Sequence, residues 1–97
     1  MPKGYLVAHL DVHDPERFAK YREKVAATVA QYGGNYVVRG GPMEMVEGNA
    51  LPPRTIILEF PSLAQAKEWY NSPEYQEIIG LRLAAANGSA QFVEGID

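Results

Sequence analysis

The chain has no cysteine in its 97 residues. No disulfide can therefore reinforce a domain that buries only roughly 60–65% of its unfolded surface, and the absence fits a reducing compartment. Charge of one sign is also scarce: 9 Lys and Arg stand against 12 Asp and Glu, for a net charge of −3. With no basic patch or arginine-rich run, nucleic acid is not an expected partner. No apolar run approaches the roughly 18 residues of a membrane span. The opening Met1-Pro2-Lys3-Gly4-Tyr5 lacks a signal-peptide pattern, since the apolar stretch after it is short and broken by His9 and Asp11. The expectation is a soluble cytoplasmic protein with no membrane partner. Internal repeats, low-complexity tracts and linkers are missing too, so residues 1–97 read as one domain.

Catalytic signatures are equally sparse. Gly40-Gly41-Pro42 is followed by neither a helix signal nor Lys-Ser/Thr, so it is no phosphate loop. There is no Gly-x-Ser-x-Gly elbow. His9-x-Asp11-x-His13 has metal-type residues, but Asp14-Pro15 starts a helix before His13 could join the strand. No metal and no cofactor is expected.

The patterning that is present begins with a strand. In residues 5–12, Leu6, Ala8, Leu10 and Val12 form one apolar face, and Tyr5, Val7, His9 and Asp11 a mixed one. Asp14-Pro15-Glu16 supplies a cap, a proline at the first helical position and an acid in the first turn. Phe18, Tyr21, Val25, Val29 and Tyr32 then recur at helical spacing until Gly33-Gly34 stops the helix. Residues 35–39 read as a second strand. Residues 43–46 resume extended structure after Gly40-Gly41-Pro42, and Pro52-Pro53 marks a loop.

Residues 55–82 organise the rest. Thr55-Ile56-Ile57-Leu58-Glu59-Phe60 is a strand stopped by Pro61. Ser62 with Gln65 makes a capping box, and Ser72-Pro73-Glu74 begins a second helical piece. Asn87-Gly88 reads as a turn before a last strand over residues 90–94. The order strand, helix, strand, strand, helix, strand is the ferredoxin-like α+β pattern: a βαββαβ sandwich with helices on one face of a four-stranded antiparallel sheet. The first and third strands then lie side by side. Leu6, Ala8, Leu10, Ile56, Leu58 and Phe60 face the helices. Tyr5, Val7, His9, Asp11, Thr55, Ile57 and Glu59 face outward. An open face holding Tyr5, Val7 and Ile57 is a liability in a monomer. The simplest partner is a twofold copy, giving a dimeric α/β barrel.

Several pieces together resemble a bacterial family. They are Gly4-Tyr5, Asp11-Val12-x-Asp14-Pro15, Tyr32-Gly33-Gly34, Val38-Arg39-Gly40-Gly41, Glu47-Gly48, Glu59-Phe60-Pro61-Ser62 and Trp69-Tyr70-Asn71-Ser72-Pro73-Glu74-Tyr75. The family is the domain-of-unknown-function family numbered thirteen-thirty, in the dimeric α/β-barrel superfamily, and the resemblance covers nearly the whole chain. It implies a ferredoxin-like fold, a homodimer and a cytoplasmic protein, and no established activity. The wider superfamily includes cofactor-free monooxygenases, isomerases and haem-handling enzymes, but no motif here matches their catalytic residues. Ile79-Gly80 departs from the alanine-rich helix usual at that place.

Candidate site residues follow from parity and spacing. Glu59 and His9 share the outward face, and Arg39 joins them if its strand pairs in the expected register. Glu59 would be a base, His9 an acid or relay and Arg39 a clamp for an enolate or carboxylate. The plainer alternative is an ion-pair network at a dimer interface. Trp69 and Tyr75 are candidates to wall a pocket for a planar ligand, whereas Tyr70 reads as core filling the corner between helices. Arg82 falls in the apolar stripe of Tyr75, Ile78 and Ile79, where it either snorkels, pairs with Glu59 or Glu47, or binds an anion. The preferred reading is a homodimer binding a small organic molecule in a cleft of each subunit. The alternatives are a cofactor-independent isomerase or monooxygenase, and a structural dimer without ligand.

Overall fold

Capping and proline placement start each helix where the sequence marks it. In the computed structural model, which describes residues 2–97, the elements are β1 (Gly4–Val12), α1 (Pro15–Gln31), β2 (Asn35–Arg39), β3 (Arg54–Phe60), α2 (Leu63–Tyr70), α3 (Pro73–Ala85) and β4 (Ala86–Glu94). Asp14 Oδ1 accepts from Arg17 N at 3.2 Å, Ser62 Oγ from Gln65 N at 3.1 Å and Ser72 Oγ from Tyr75 N at 3.2 Å. Each bond satisfies a donor that the first helical turn leaves free. Gly33 ends α1 with a φ of 78°, and Gly34 N donates to Val29 O at 2.9 Å, the left-handed stop that glycine allows without a Cβ penalty.

The four strands form one antiparallel sheet in the order β2-β3-β1-β4. With the helices on one side, the fold is ferredoxin-like. Register sets Tyr5 opposite Glu59, Leu6 opposite Leu58 and His9 opposite Thr55. Because side chains alternate, Leu6, Ala8, Leu10, Leu58 and Phe60 enter the core against Phe18, Val25 and Val29 of α1 and Trp69, Tyr75 and Ile78 of α2 and α3. Tyr5, Val7, Ile57 and Glu59 stay half-buried on the uncovered face.

Two expectations are corrected. Asn87-Gly88 is no turn: β4 starts at Ala86, directly after α3, and pairs Ala86 with Val12 and Gly88 with Leu10. A Cβ at Gly88 would collide with the His9 carbonyl oxygen, and its φ is 149°, so glycine here serves close strand approach. Residues 40–53 carry no strand. No strand among the described residues pairs with residues 43–46; the loop is tied down by Gly40 N on Thr55 O at 2.8 Å and by Thr55 Oγ1 donating to Met43 Sδ at 3.1 Å. The helix across Ile79-Gly80 is continuous, with open space where a Gly80 side chain would be. Among the described residues no helix is long and apolar enough to cross a membrane.

Candidate functional site

The layer between sheet and helices is not filled at one end. An inner cavity of ≈ 30 Å³ is lined by Leu6, Ala8, Leu10, Tyr21, Tyr36, Ile56, Leu58, Tyr75 and Arg82. An outer one of ≈ 20 Å³ is lined by Phe18, Tyr21, Arg22, Val25, Tyr36, Arg39, Arg54 and Ile56. Each holds about one or two waters, and they share Tyr21, Tyr36 and Ile56. Arg82 and Leu10 also line a surface vestibule of ≈ 220 Å³ with Tyr70, Leu83, Gly88 and Ala90. A wider mouth of ≈ 300 Å³ lies at Ala19, Arg22, Glu23 and Arg39.

Helical spacing explains this convergence. Tyr75 and Arg82 are seven residues apart on α3, so both meet the same face two turns apart. Tyr21 and Arg22 come from α1, Tyr36 and Arg39 from β2, and Arg54 and Ile56 from β3. The Tyr21 and Tyr75 hydroxyls are hydrogen-bonded at 2.8 Å. Burial, followed by the neighbouring Tyr75, pushes the Tyr21 phenol well above its ordinary range. Burial likewise raises Tyr75 and Tyr36, against the opposing pull of Arg82 and Arg39 respectively. These phenols stay protonated near neutral pH and act as hydrogen-bond donors rather than bases.

The cations are distributed along the same path. The Arg39 guanidinium lies 4.4 Å from the Tyr36 ring centre and that of Arg54 lies 5.0 Å from Phe18, both within cation–π range. Arg82 is deeper. Its Nε is buried without a hydrogen-bond partner among the described residues. Burial works against its charge, but the Tyr75 and Tyr21 phenols, whose charge counts only once they ionise, and a hydrogen bond from the guanidinium to Tyr75 more than offset this and hold it above its ordinary value. Neither chamber nor the vestibule has a carboxylate in its wall.

The residues singled out from sequence are divided by the structure. His9 and Glu59 do share the uncovered face, but Glu59 opposes Tyr5 and His9 opposes Thr55. They are four strand positions apart, about 13 Å. Glu59 takes Lys3 Nζ and Tyr5 Oη, each at 3.2 Å, and His9 Nδ1 meets Thr55 Oγ1 at 3.2 Å. Arg39 joins neither. An irregularity between Tyr36 and Val38 shifts the register, so Arg39 opposes Ile56 on the helix side. Without that extra residue it would oppose Thr55; a one-residue slip moves a side chain to the other face. The proposed Glu59–His9–Arg39 grouping is therefore not assembled within one chain.

Of the aromatic residues, Trp69 departs from its expected place in a pocket wall. Trp69 is 0% exposed. Its ring packs 5.4 Å from Phe60 and 4.1 Å from Tyr75, and its Nε1 donates to Thr28 Oγ1 at 3.0 Å. Tyr70, read as core, packs against the core and also lines the vestibule. Tyr75 and Arg82 both line the inner cavity, and among the described residues Arg82 pairs with neither Glu59 nor Glu47. Sequence reasoning missed Tyr36, Arg22 and Arg54. The available signal was Tyr36 in a strand whose parity sets it opposite Leu58. His13 is exposed beyond the end of β1, and the described residues hold no group of three metal-type ligands.

A family model described as Domain of unknown function (DUF1330) matches residues 3–96. No curated protein sequence matches the chain. Among solved structures, a protein of unknown function from Rhodopseudomonas palustris is similar at 19% identity, with a TM-score of 0.79 over 99% of this chain and 84% of that one. SnoaB, a cofactor-independent oxygenase from Streptomyces nogalater, is similar at 12% identity, with a TM-score of 0.67 over 100% and 96%. A dimeric ferredoxin-like protein of unknown function from Thermobifida fusca gives 11% identity and a TM-score of 0.65 over 96% and 91%. At these identities the likeness shows the shared fold.

Proposed function

The chain belongs to the DUF1330 family, and on that footing we propose that it is a homodimer binding one small organic molecule per subunit between sheet and helices. The observation that carries this reading is a pair of neighbouring spaces that share Tyr21 and Tyr36 in their walls, the inner one with Tyr75 and Arg82 and the outer one with Arg39 and Arg54. An apolar pocket with a few convergent polar groups is the usual form of a small-molecule site. The chambers are narrow, so a ligand larger than a few atoms must displace Tyr36 or Arg82. A thermal-shift screen against small carboxylates, phenols and planar haem-like compounds tests it. A binding compound raises the melting temperature by mass action. No compound doing so at millimolar concentration would overturn the reading.

Self-association is the second half of the proposal. The uncovered face carries Tyr5, Val7, Ile57 and Val38, with Val93 beside Tyr5 and 44% exposed. A twofold copy covering this face removes that surface from water. His9 and Glu59 then lie in the interface, where their Thr55, Lys3 and Tyr5 partners already satisfy part of their hydrogen-bonding capacity. Sedimentation showing only a 10.7 kDa species at tens of micromolar would end this part.

A second reading, a cofactor-independent monooxygenase or isomerase, is supported by the fold shared with the Streptomyces nogalater oxygenase and by the half-buried Arg82, whose Nε is buried. A fixed cation in low dielectric stabilises an enolate or phenolate far better than water does. The cavity walls offer no carboxylate or imidazole as base, so the substrate would have to enter already ionised. Oxygen consumption or isomer formation with activated phenols and β-dicarbonyl compounds checks this. Turnover unchanged in Arg82→Gln would exclude the pocket from the chemistry.

A further inference from the structure

Arg82 stands between two spaces, the inner cavity and the vestibule, and lines both. On the reading that this protein binds a small organic molecule, we propose that Arg82 recognises the acid group of an aromatic organic anion. The body of that anion lies in the vestibule against Tyr70 and Leu83.

Four observations meet at this residue. Its Nε is buried and makes no hydrogen bond among the described residues, and a buried polar atom left so is costly unless something else meets it. No carboxylate among the described residues lines either space, so the walls supply no counter-charge, and a cation partly withdrawn from water gains from one. The vestibule has room, at ≈ 220 Å³. That room has a cause in the sequence: the helix-facing positions of β4 there are Gly88 and Ala90, opposite Leu10 and Ala8. The next such position, Phe92, fills the layer and packs its ring 5.6 Å from Tyr70. Finally, the mixed rim, which includes Ser89, offers two large side chains for an organic body, Tyr70 and Leu83, the latter 61% exposed. An aromatic body fits such a rim, and a planar carboxylate matches the guanidinium fork.

The test uses benzoate, its neutral isostere benzyl alcohol and its cationic counterpart benzylamine on the full chain. Two readouts apply, the melting temperature and the fluorescence of the single tryptophan, whose ring lies 4.1 Å from that of Tyr75. Benzoate should bind the parent protein and benzylamine should not. Arg82→Gln should weaken benzoate about ten- to a hundredfold, the loss of a charged hydrogen bond, and Arg82→Lys should restore part of it. Ala90→Leu, at an exposed position, should block the vestibule and weaken benzoate while leaving Arg82 in place. Benzoate binding that survives Arg82→Gln, or is indifferent to Ala90→Leu, overturns the inference. Benzyl alcohol binding as well as benzoate, equally in parent and Arg82→Gln, sinks the anion assignment but leaves the small-molecule reading intact. No response to any probe in either readout removes the inference, and the full ligand screen then decides the reading beneath it.

Discussion

Replacing Thr28 by valine should cost far more than its size suggests. Valine keeps the shape and the β-branch, so packing is nearly conserved. What disappears is the acceptor for Trp69 Nε1 at 3.0 Å and the hydroxyl's own donation to Val25 O at 2.7 Å. The second loss is small, because a carbonyl inside α1 keeps its main-chain bond. The first leaves an indole N–H orphaned in a side chain that is 0% exposed, with water excluded. That desolvation cost is about 1–3 kcal/mol. A value near ~2 kcal/mol lowers the melting temperature by roughly 8–12 °C in a domain of this size. Chemical denaturation followed by circular dichroism is the assay, at one fixed protomer concentration, since the proposed self-association would add to stability. The control is the same substitution in a Trp69→Phe background, where no N–H remains to be orphaned. There Thr28→Val should cost under ~1 kcal/mol, a coupling of about 1–2 kcal/mol between the sites. A parent-background cost within ~0.5 kcal/mol of zero, or one unchanged by Trp69→Phe, would refute the reasoning.

Further outcomes follow from other places in the fold. A Cβ at Gly4 would overlap the Leu63 backbone. Gly4→Ala should therefore destabilise by about 2 kcal/mol or more, whereas Gly41→Ala, with open space around it, should stay within ~0.5 kcal/mol; paired denaturation midpoints check both. Glu74 is held below the ordinary carboxyl value of 4.5 by its own backbone N–H, then by Tyr32 and Gln31. Its folded pKa is depressed, so its stabilisation is present above the unfolded value and lost as pH falls through the folded one. Glu74→Gln should flatten that acid limb in denaturation midpoints measured against pH, and an unchanged limb would assign it to other carboxyls. Ile57→Asp places a charge at the centre of the open face and should yield a 10.7 kDa monomer by light scattering; a dimer that survives it uses another surface.

The element order, the central strand pair and the side chains entering the core were legible because they rest on local rules. A hydroxyl cap before proline at Ser72-Pro73 starts a helix whatever surrounds it. Alternation along β1 and β3 leaves one assignment of inside and outside. Residues 43–46 were misread because a short apolar run is a strand only if a partner strand accepts it, and none among the described residues does. Asn87-Gly88 was misread for the converse reason: turn residues become strand when β1 offers a ladder beside them.

Sequence alone thus determined the layers, the caps and the two faces of the sheet, since periodicity and capping act within a few residues. Tertiary structure decided which chemical groups meet. One extra residue in β2 carried Arg39 from the side of His9 to that of Tyr36. The way α2 and α3 seat on the sheet put Trp69 inside and Tyr70 at the vestibule. Register and helix docking are set by the whole packed layer, and a one-position change in either reverses a side chain's surroundings. Arg82 is the clearest case: its place in the apolar stripe was visible in the heptad spacing, but a buried Nε without a partner and cavity walls without an acid, among the described residues, are properties of the fold.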